Sequence, residues 1–115
     1  MPKFTYVVLT NAVPGKEQEF DQWYSGQHVP DVLRVPGVLS AQRFRRTAQQ
    51  RGTAPQPWQY LALYECDARD PQVITDGIQA RIGTPEMPMS DSLADVRYAC
   101  YFEPITDVIR RQDAR

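Results

Sequence analysis

Strand and helix periodicities alternate along this chain in one order, and that order limits the fold more than any other feature. Phe4 to Asn11 (FTYVVLTN) is β-branched and aromatic and reads as a strand. Phe4, Tyr6 and Val8 fall on one side, Val7 and Leu9 on the other; both sides are apolar, so both need cover. Pro14-Gly15 then breaks the chain. Lys16 to Gln27 reads as a helix, with Phe20, Trp23, Tyr24 and Gln27 forming one stripe at three- and four-residue steps. Gly26 weakens its last turn and Pro30 removes a backbone donor. The regular helix is therefore expected to end or kink near His28, with a short turn from Pro30 to Leu33. Pro36-Gly37 is a second break, and Val38 to Thr47 follows as a strand, longest on its Val38, Ser40, Gln42 and Phe44 side. Gln49 to Pro57 is a polar hairpin loop. Trp58 to Cys66 (WQYLALYEC) is the clearest strand, with Tyr60, Ala62 and Tyr64 alternating with Leu61, Leu63 and Glu65. Asp70-Pro71 suits a helix start, and Val73, Ile74, Ile78 and Ile82 give that helix an apolar face. Thr84 to Ser92, with Pro85 and Pro88, is a loop before a fourth strand at Val96 to Phe102.

The order β-α-β-β-α-β is the split βαβ arrangement, an α+β fold with a four-stranded antiparallel sheet and both helices on one face. The other face carries either Val7, Leu39, Ala41, Leu61, Leu63, Ala99 and Tyr101 or the tyrosine-rich alternates. Either set is too apolar to stay wet, and a second copy packed sheet to sheet is the simplest cover. The expected domain is residues 1–104, followed by a charged tail, 105–115, that is frayed or packed on the partner.

At 115 residues the chain fits one domain. Thirteen basic residues against 14 acidic ones leave a net charge of −1, so no nucleic-acid partner is expected. The one basic cluster, Arg43, Arg45, Arg46 and Arg51, lies at a strand end and in a polar loop and reads as solvated surface. Cys66 and Cys100 are widely spaced and expected to be unpaired. Met1-Pro2-Lys3-Phe4 runs directly into a strand without a signal-like apolar region, and nothing approaches the roughly 20 apolar residues of a membrane span. A soluble, cytoplasmic protein with no membrane partner is expected.

Among residues that carry chemistry, His28 is the only histidine. It stands where the helix breaks, at the end of an aromatic stripe, with Asp31 three residues on and able to orient one ring nitrogen. Its near-neutral intrinsic pKa suits proton transfer. A histidine bonded to a backbone carbonyl at a helix end is the plain structural alternative. If Tyr6, Tyr60, Tyr64 and Tyr98 share the helix-covered face with Phe44, they ring a pocket with His28 at its lip. One histidine and two separated cysteines make no ordinary zinc site, and there is no phosphate-binding glycine loop and no nucleophile elbow. A single histidine is enough to ligate haem, but no second feature points to it.

The run Val13-Pro14-Gly15-Lys16-Glu17-Gln18-Glu19-Phe20-Asp21-Gln22-Trp23-Tyr24, then His28-Val29-Pro30-Asp31-Val32-Leu33, then Val35-Pro36-Gly37-Val38, resembles the first half of EthD-like proteins. Beyond that stretch the likeness is architectural. The resemblance implies a ferredoxin-like fold that dimerises into an α/β barrel, with His28 at the family's helix-end histidine and Phe20, Trp23 and Tyr24 on its aromatic stripe. It further implies a homodimeric, cofactor-independent lyase of the decarboxylase or dehydratase type, acting on a small aromatic or polyketide-like molecule. His28 would be the general acid/base, oriented by Asp31 or a backbone carbonyl. Tyr6, Phe20, Trp23, Tyr24, Phe44, Tyr60 and Tyr98 would line the substrate site. An aromatic substrate can hold developing charge in its own ring, so neither metal nor other cofactor is expected. An isomerase, a cofactor-free monooxygenase of an aromatic compound and a non-catalytic ligand-binding barrel dimer are the alternatives on this fold.

Overall fold

A computed structural model describes residues 2–114; Met1 and Arg115, the outer ends of the expected domain and tail, lie outside the described residues. Four strands, β1 (Lys3–Thr10), β2 (Val38–Arg45), β3 (Tyr60–Asp67) and β4 (Tyr98–Phe102), form one antiparallel sheet in the order β2-β3-β1-β4. The helical segments are α1 (Glu17–Trp23), a π-helical turn (Tyr24–His28), α2 (Val29–Leu33) and α3 (Pro71–Arg81). This is the expected α+β fold, the four-stranded antiparallel sheet with helices packed on one face.

The helical conformation does not stop at His28. It runs from Glu17 to Leu33, and the regular α-helix gives way at Tyr24 to one wider turn. Within that turn the Val29 N–H donates to the Tyr24 carbonyl, five residues back. Pro30 is the physical reason: its ring collides with the carbonyl four residues earlier in a regular helix, and it has no N–H to donate. A π-turn absorbs the misfit without ending the helix. The stretch Pro30 to Leu33, expected as a turn, is therefore helical. At the start of α3, Asp70 and Pro71 hold the expected N-cap and first-turn positions, although the Asp70 side chain makes no capping bond.

Strand register decides which side chains meet the helices. Phe4, Tyr6, Val8 and Thr10 of β1 and Tyr60, Ala62, Tyr64 and Cys66 of β3 point to the helical layer. Phe20, Tyr24, Val32, Val35 and Ile74 close over them as the core. In β2 a bulge between Val38 and Ser40 reverses the alternation. Val38 is buried, and beyond the bulge Ala41 and Arg43, not Gln42 and Phe44, turn inward. In β4, Tyr101 pairs with Tyr6 and stacks on it, with ring centroids 4.8 Å apart, whereas Tyr98 pairs with Leu9 on the opposite face. The open face thus carries Phe44, Leu61, Leu9 and Tyr98 in one rung and Gln42, Leu63, Val7 and Cys100 in the next. Ala41, Ala99 and Tyr101, grouped with Val7 in the first of the two sequence alternatives, lie with the helices instead. Cys66 and Cys100 are free and face opposite sides of the sheet.

Beyond β4, residues 103–114 hold only a short 3₁₀ turn, Arg111–Asp113, and are exposed. No helix among the described residues is long and apolar enough to cross a membrane.

Gly37 shows how tightly the helical layer sits on the sheet. Its φ is +99°, and a Cβ there would lie 2.9 Å from Ile74 Cδ1 and 3.2 Å from Ala68 Cβ. Gly26, inside the π-turn, has no neighbour within 4 Å of an added Cβ. Gly37→Ala is expected to lower unfolding free energy by about 1–3 kcal/mol, while Gly26→Ala is neutral or gains up to about 1 kcal/mol. Denaturant midpoints of the two variants check this.

Candidate active site

The wider turn sets where His28 goes. In a regular helix, residue 28 continues the line of Phe20 and Tyr24; one extra residue per turn rotates it around the axis. The His28 imidazole consequently stacks on the Trp23 indole, with centroids 4.8 Å apart and planes at 27°. It also meets the Tyr24 ring edge-on at 4.9 Å and 78°. Trp23 is itself fixed from outside, because its indole N–H donates to the Pro88 carbonyl at 3.1 Å. The loop between α3 and β4 therefore clamps the ring that positions the histidine.

Between this helix, the sheet and α3 lies a largely apolar chamber of about 160 Å³. Tyr6, Val8 and Thr10 of β1 and Tyr64 of β3 form its floor. Tyr24, His28 and Val32 form one wall, Ile78 and Ile82 another, and Met89 and Leu93 of the clamping loop roof it. Arg97 and Ala99 stand at the side towards β4. An apolar cavity of about 150 Å³ accommodates one benzene ring, so this chamber is sized for a single ring.

Two polar atoms here lack hydrogen-bond partners. His28 Nδ1 and the Tyr64 hydroxyl are both buried and unpaired. The Tyr64 hydroxyl approaches that of Tyr24 as a donor, which adds to the effect of burial on Tyr64 and opposes it on Tyr24, but no geometric hydrogen bond closes between them. Buried polar groups are nearly always paired in folded proteins, so two orphans around one chamber set it apart from the rest of the core.

Burial also sets the charge state. Removal from water lowers the His28 pKa to about 4; Asp31 pulls it up and Arg97 pushes it down, both more weakly. The imidazole is neutral at physiological pH, below the near-neutral range expected from the residue type alone. Burial raises the Tyr6 hydroxyl to about 12 and drives Tyr24 and Tyr64 upward as well. The chamber thus presents a neutral base and three protonated phenols.

His28 and the sequence-selected aromatic residues divide into three groups. Tyr6, Tyr24 and His28 meet at the chamber. Phe20, Trp23 and Tyr60 stand behind it: Phe20 touches Tyr24 at 5.4 Å and Tyr60 at 4.9 Å, and Trp23 backs His28. Phe44 and Tyr98 are on the other face of the sheet, put there by the β2 bulge and the β4 register. Asp31 does not bond His28. Its buried carboxylate accepts from Gln27 Nε2 and from the Arg34 guanidinium, each at 2.8 Å, so it braces the helix after the π-turn. The inward place expected for Phe44 belongs to Arg43. Its guanidinium lies 4.6 Å from the Tyr24 ring centroid and 5.4 Å from that of Tyr60, and it pairs with Asp21 at 2.6 Å. Arg43 is a packed residue and not the solvated surface its neighbours suggested.

Thr10, Met89, Leu93 and Arg97 were missed by sequence reasoning. The signals were a pair of methionines, Met87 and Met89, inside a proline-rich loop, and one arginine at the entry to the apolar run of β4. Among the described residues no group of three or more His, Cys, Asp or Glu side chains is arranged to hold a metal ion.

Solved structures share this architecture. An EthD-like protein from Ralstonia eutropha JMP134 superposes with a TM-score of 0.64 at 15% identity, covering 97% of this chain and 98% of that one. An EthD family protein from Bacillus halodurans C-125 gives 0.55 at 14% identity, over 90% of this chain and 99% of that one. The chain has the EthD-like fold. A MhuD variant with two manganese protoporphyrin IX molecules bound per active site gives 0.60 at 14% identity, over 93% and 99% of the two chains. At these identities the likeness is one of fold. No protein-family model matches the sequence, and no curated protein matches it.

The depressed pKa of His28 has a stability consequence. Its folded value, about 4, lies below the unfolded value of 6.5, so the unfolded chain binds the proton first. This contribution is complete above pH 6.5 and is lost as pH falls towards 4. The loss is at most on the order of 3 kcal/mol. Unfolding free energies measured from pH 7 to 4 should decline more steeply for the wild type than for His28→Gln, and the imidazole should titrate near pH 4 by NMR.

Proposed function

We propose that the protein is a cofactor-independent lyase of the decarboxylase or dehydratase type, acting in the cytoplasm on a small aromatic or polyketide-like molecule. The observation that carries this reading is the pair of unpartnered buried groups, His28 on a wall and Tyr64 on the floor of a chamber sized for one ring. His28 is the proton-transfer residue. Because it starts neutral, dehydration gives the simplest cycle. The imidazole removes a proton from carbon, the C–H electrons become the new double bond, and the C–O bond breaks. The imidazolium then returns the proton to the departing hydroxyl, giving water and a neutral imidazole again. Burial, which makes His28 a weak base, also makes its conjugate acid a strong donor for that second step. The protonated hydroxyls of Tyr24 and Tyr64 are suited to hold developing negative charge on a substrate oxygen. A one-ring chamber argues against a tetrapyrrole at this site.

The functional unit in this reading is a homodimer joined through the open sheet faces. Leu39, Phe44, Tyr98 and Phe102 are exposed there, with Phe102 63% accessible. Large apolar side chains on one flat face are the usual mark of an interface.

His28→Ala should lower kcat at least roughly a hundredfold with the fold retained. For the wild type, kcat/KM should fall as pH drops through about 4, where the free base becomes protonated, and the variant should lack that limb. Retention of most activity by the variant on the true substrate would remove His28 from the mechanism. Sedimentation at micromolar concentration should give about twice the monomer mass of 13.2 kDa; a clean monomer argues against the barrel dimer.

A further inference from the structure

The chamber has one charged residue that the proton-transfer scheme does not use. Arg97 lies just before β4, and it lines both the inner chamber and a wider outer groove of about 570 Å³. The two spaces also share Ile82, Met89 and Leu93, so Arg97 stands on the border between groove and chamber. Its guanidinium has no ion-pair or hydrogen-bond partner among the described residues. The arginines that pack nearer the core or the loops are committed: Arg34 to Asp31, Arg43 to Asp21, Arg69 to Asp70, Arg81 to Glu86, and Arg46 to loop carbonyls.

We infer that Arg97 anchors the acidic group of the substrate, and that the chamber takes a single-ring aromatic acid with its carboxylate at the mouth and its ring against Tyr6 and Tyr64. This rests on the reading of the chamber as the substrate site. Volume limits the buried part to one ring. Charge fixes the orientation, because the interior walls are apolar or carry neutral hydroxyls while the mouth carries an unpaired cation. A guanidinium presents a planar pair of donors that matches a carboxylate. The outer groove reinforces this choice. Asp91 and Asp95 line it; Lys16 balances Asp91 at 3.2 Å, and the carboxylate of Asp95 disfavours an anion farther out. The charge of Arg97 also reaches inward, where it acts against protonation of His28 and favours ionisation of Tyr6 and Tyr24. A bound carboxylate would neutralise it beside the residues that handle the proton.

Titration calorimetry of the full chain with benzoate and with benzyl alcohol, its neutral counterpart, tests the assignment. Wild type should bind benzoate at least about tenfold more tightly than benzyl alcohol. Arg97→Met should lose about tenfold or more on benzoate and leave benzyl alcohol within about twofold, and Arg97→Lys should recover part of the loss. Equal affinity of wild type and Arg97→Met for benzoate, no preference for benzoate over the alcohol, or no benzoate binding at millimolar concentration would each overturn it. Failure of the lyase reading looks different. If benzoate binds through Arg97 while His28→Ala keeps full turnover, the anchor stands and the acid/base role falls. If benzoate ignores Arg97 and His28→Ala is inactive, the anchor falls and the role stands.

Discussion

The missing N–H of Pro30 governs the helical layer. A regular helix through Gly26 to Pro30 drives the proline ring into a carbonyl, and ending the helix there would leave Val32 without its buried place. The chain resolves this with one wide turn, Tyr24–His28, closed by the bond from Val29 N–H to the Tyr24 carbonyl. That turn places several side chains on this side of the molecule. It rotates His28 onto Trp23, lets Asp31 reach Gln27 and Arg34, and keeps Val32 in the chamber wall. A wide turn is less favourable than a regular one, and it persists because packing on both sides fixes it. Asp31 therefore serves the site through the backbone: it braces the segment that holds His28 and leaves the imidazole itself untouched.

The aromatic stripe works as two layers. Phe20 and Tyr24 face the sheet, where Arg43 spans Phe20, Tyr24 and Tyr60 and is anchored by Asp21 and Ser25. Trp23 faces the other way, towards the loop that carries Met87, Pro88 and Met89. One side locks the helix to β2 and β3. The other locks it to the chamber roof. A cation among three rings is stable because the ring faces are electron-rich and the Asp21 carboxylate balances its charge.

The architecture was legible in the sequence because it depends on periodicity. Strand and helix segments, the turn glycines Gly15 and Gly37, and the position of Asp70-Pro71 could each be read from local rules. Face assignment was legible only where the alternation ran unbroken. Tyr6, Tyr60 and Tyr64 follow from β1 and β3, whereas Phe44 and Tyr98 do not. A bulge between Val38 and Ser40 leaves no trace in residue type, and one step of register in a run such as YACYF exchanges two equally apolar faces. His28 was legible as the end of a stripe, but the ring it stacks on and its neutral state are tertiary facts. Arg97 was not legible as a site residue, since a single arginine in a strand reads as surface until the loop from Thr84 to Asp95 folds over beside it.

In the proposed reading, burial, polarity and charge in the chamber each have a part in the chemistry. Desolvation acts on every titratable group that lines the interior in one direction, towards the neutral form. It lowers the imidazole and raises the phenols, so that base and hydrogen-bond donors coexist without pairing off as ions. Had Asp31 bonded His28, the ion pair would have favoured the imidazolium and removed the base. With that carboxylate spent on Gln27 and Arg34, the imidazole stays neutral. The one formal charge bordering the interior is at the mouth, on Arg97, where an acidic ligand can meet it without carrying its own charge past apolar walls. In the proposed reading, a chamber ordered this way separates recognition of an anion at the exposed Arg97 from movement of a proton in the low-dielectric interior.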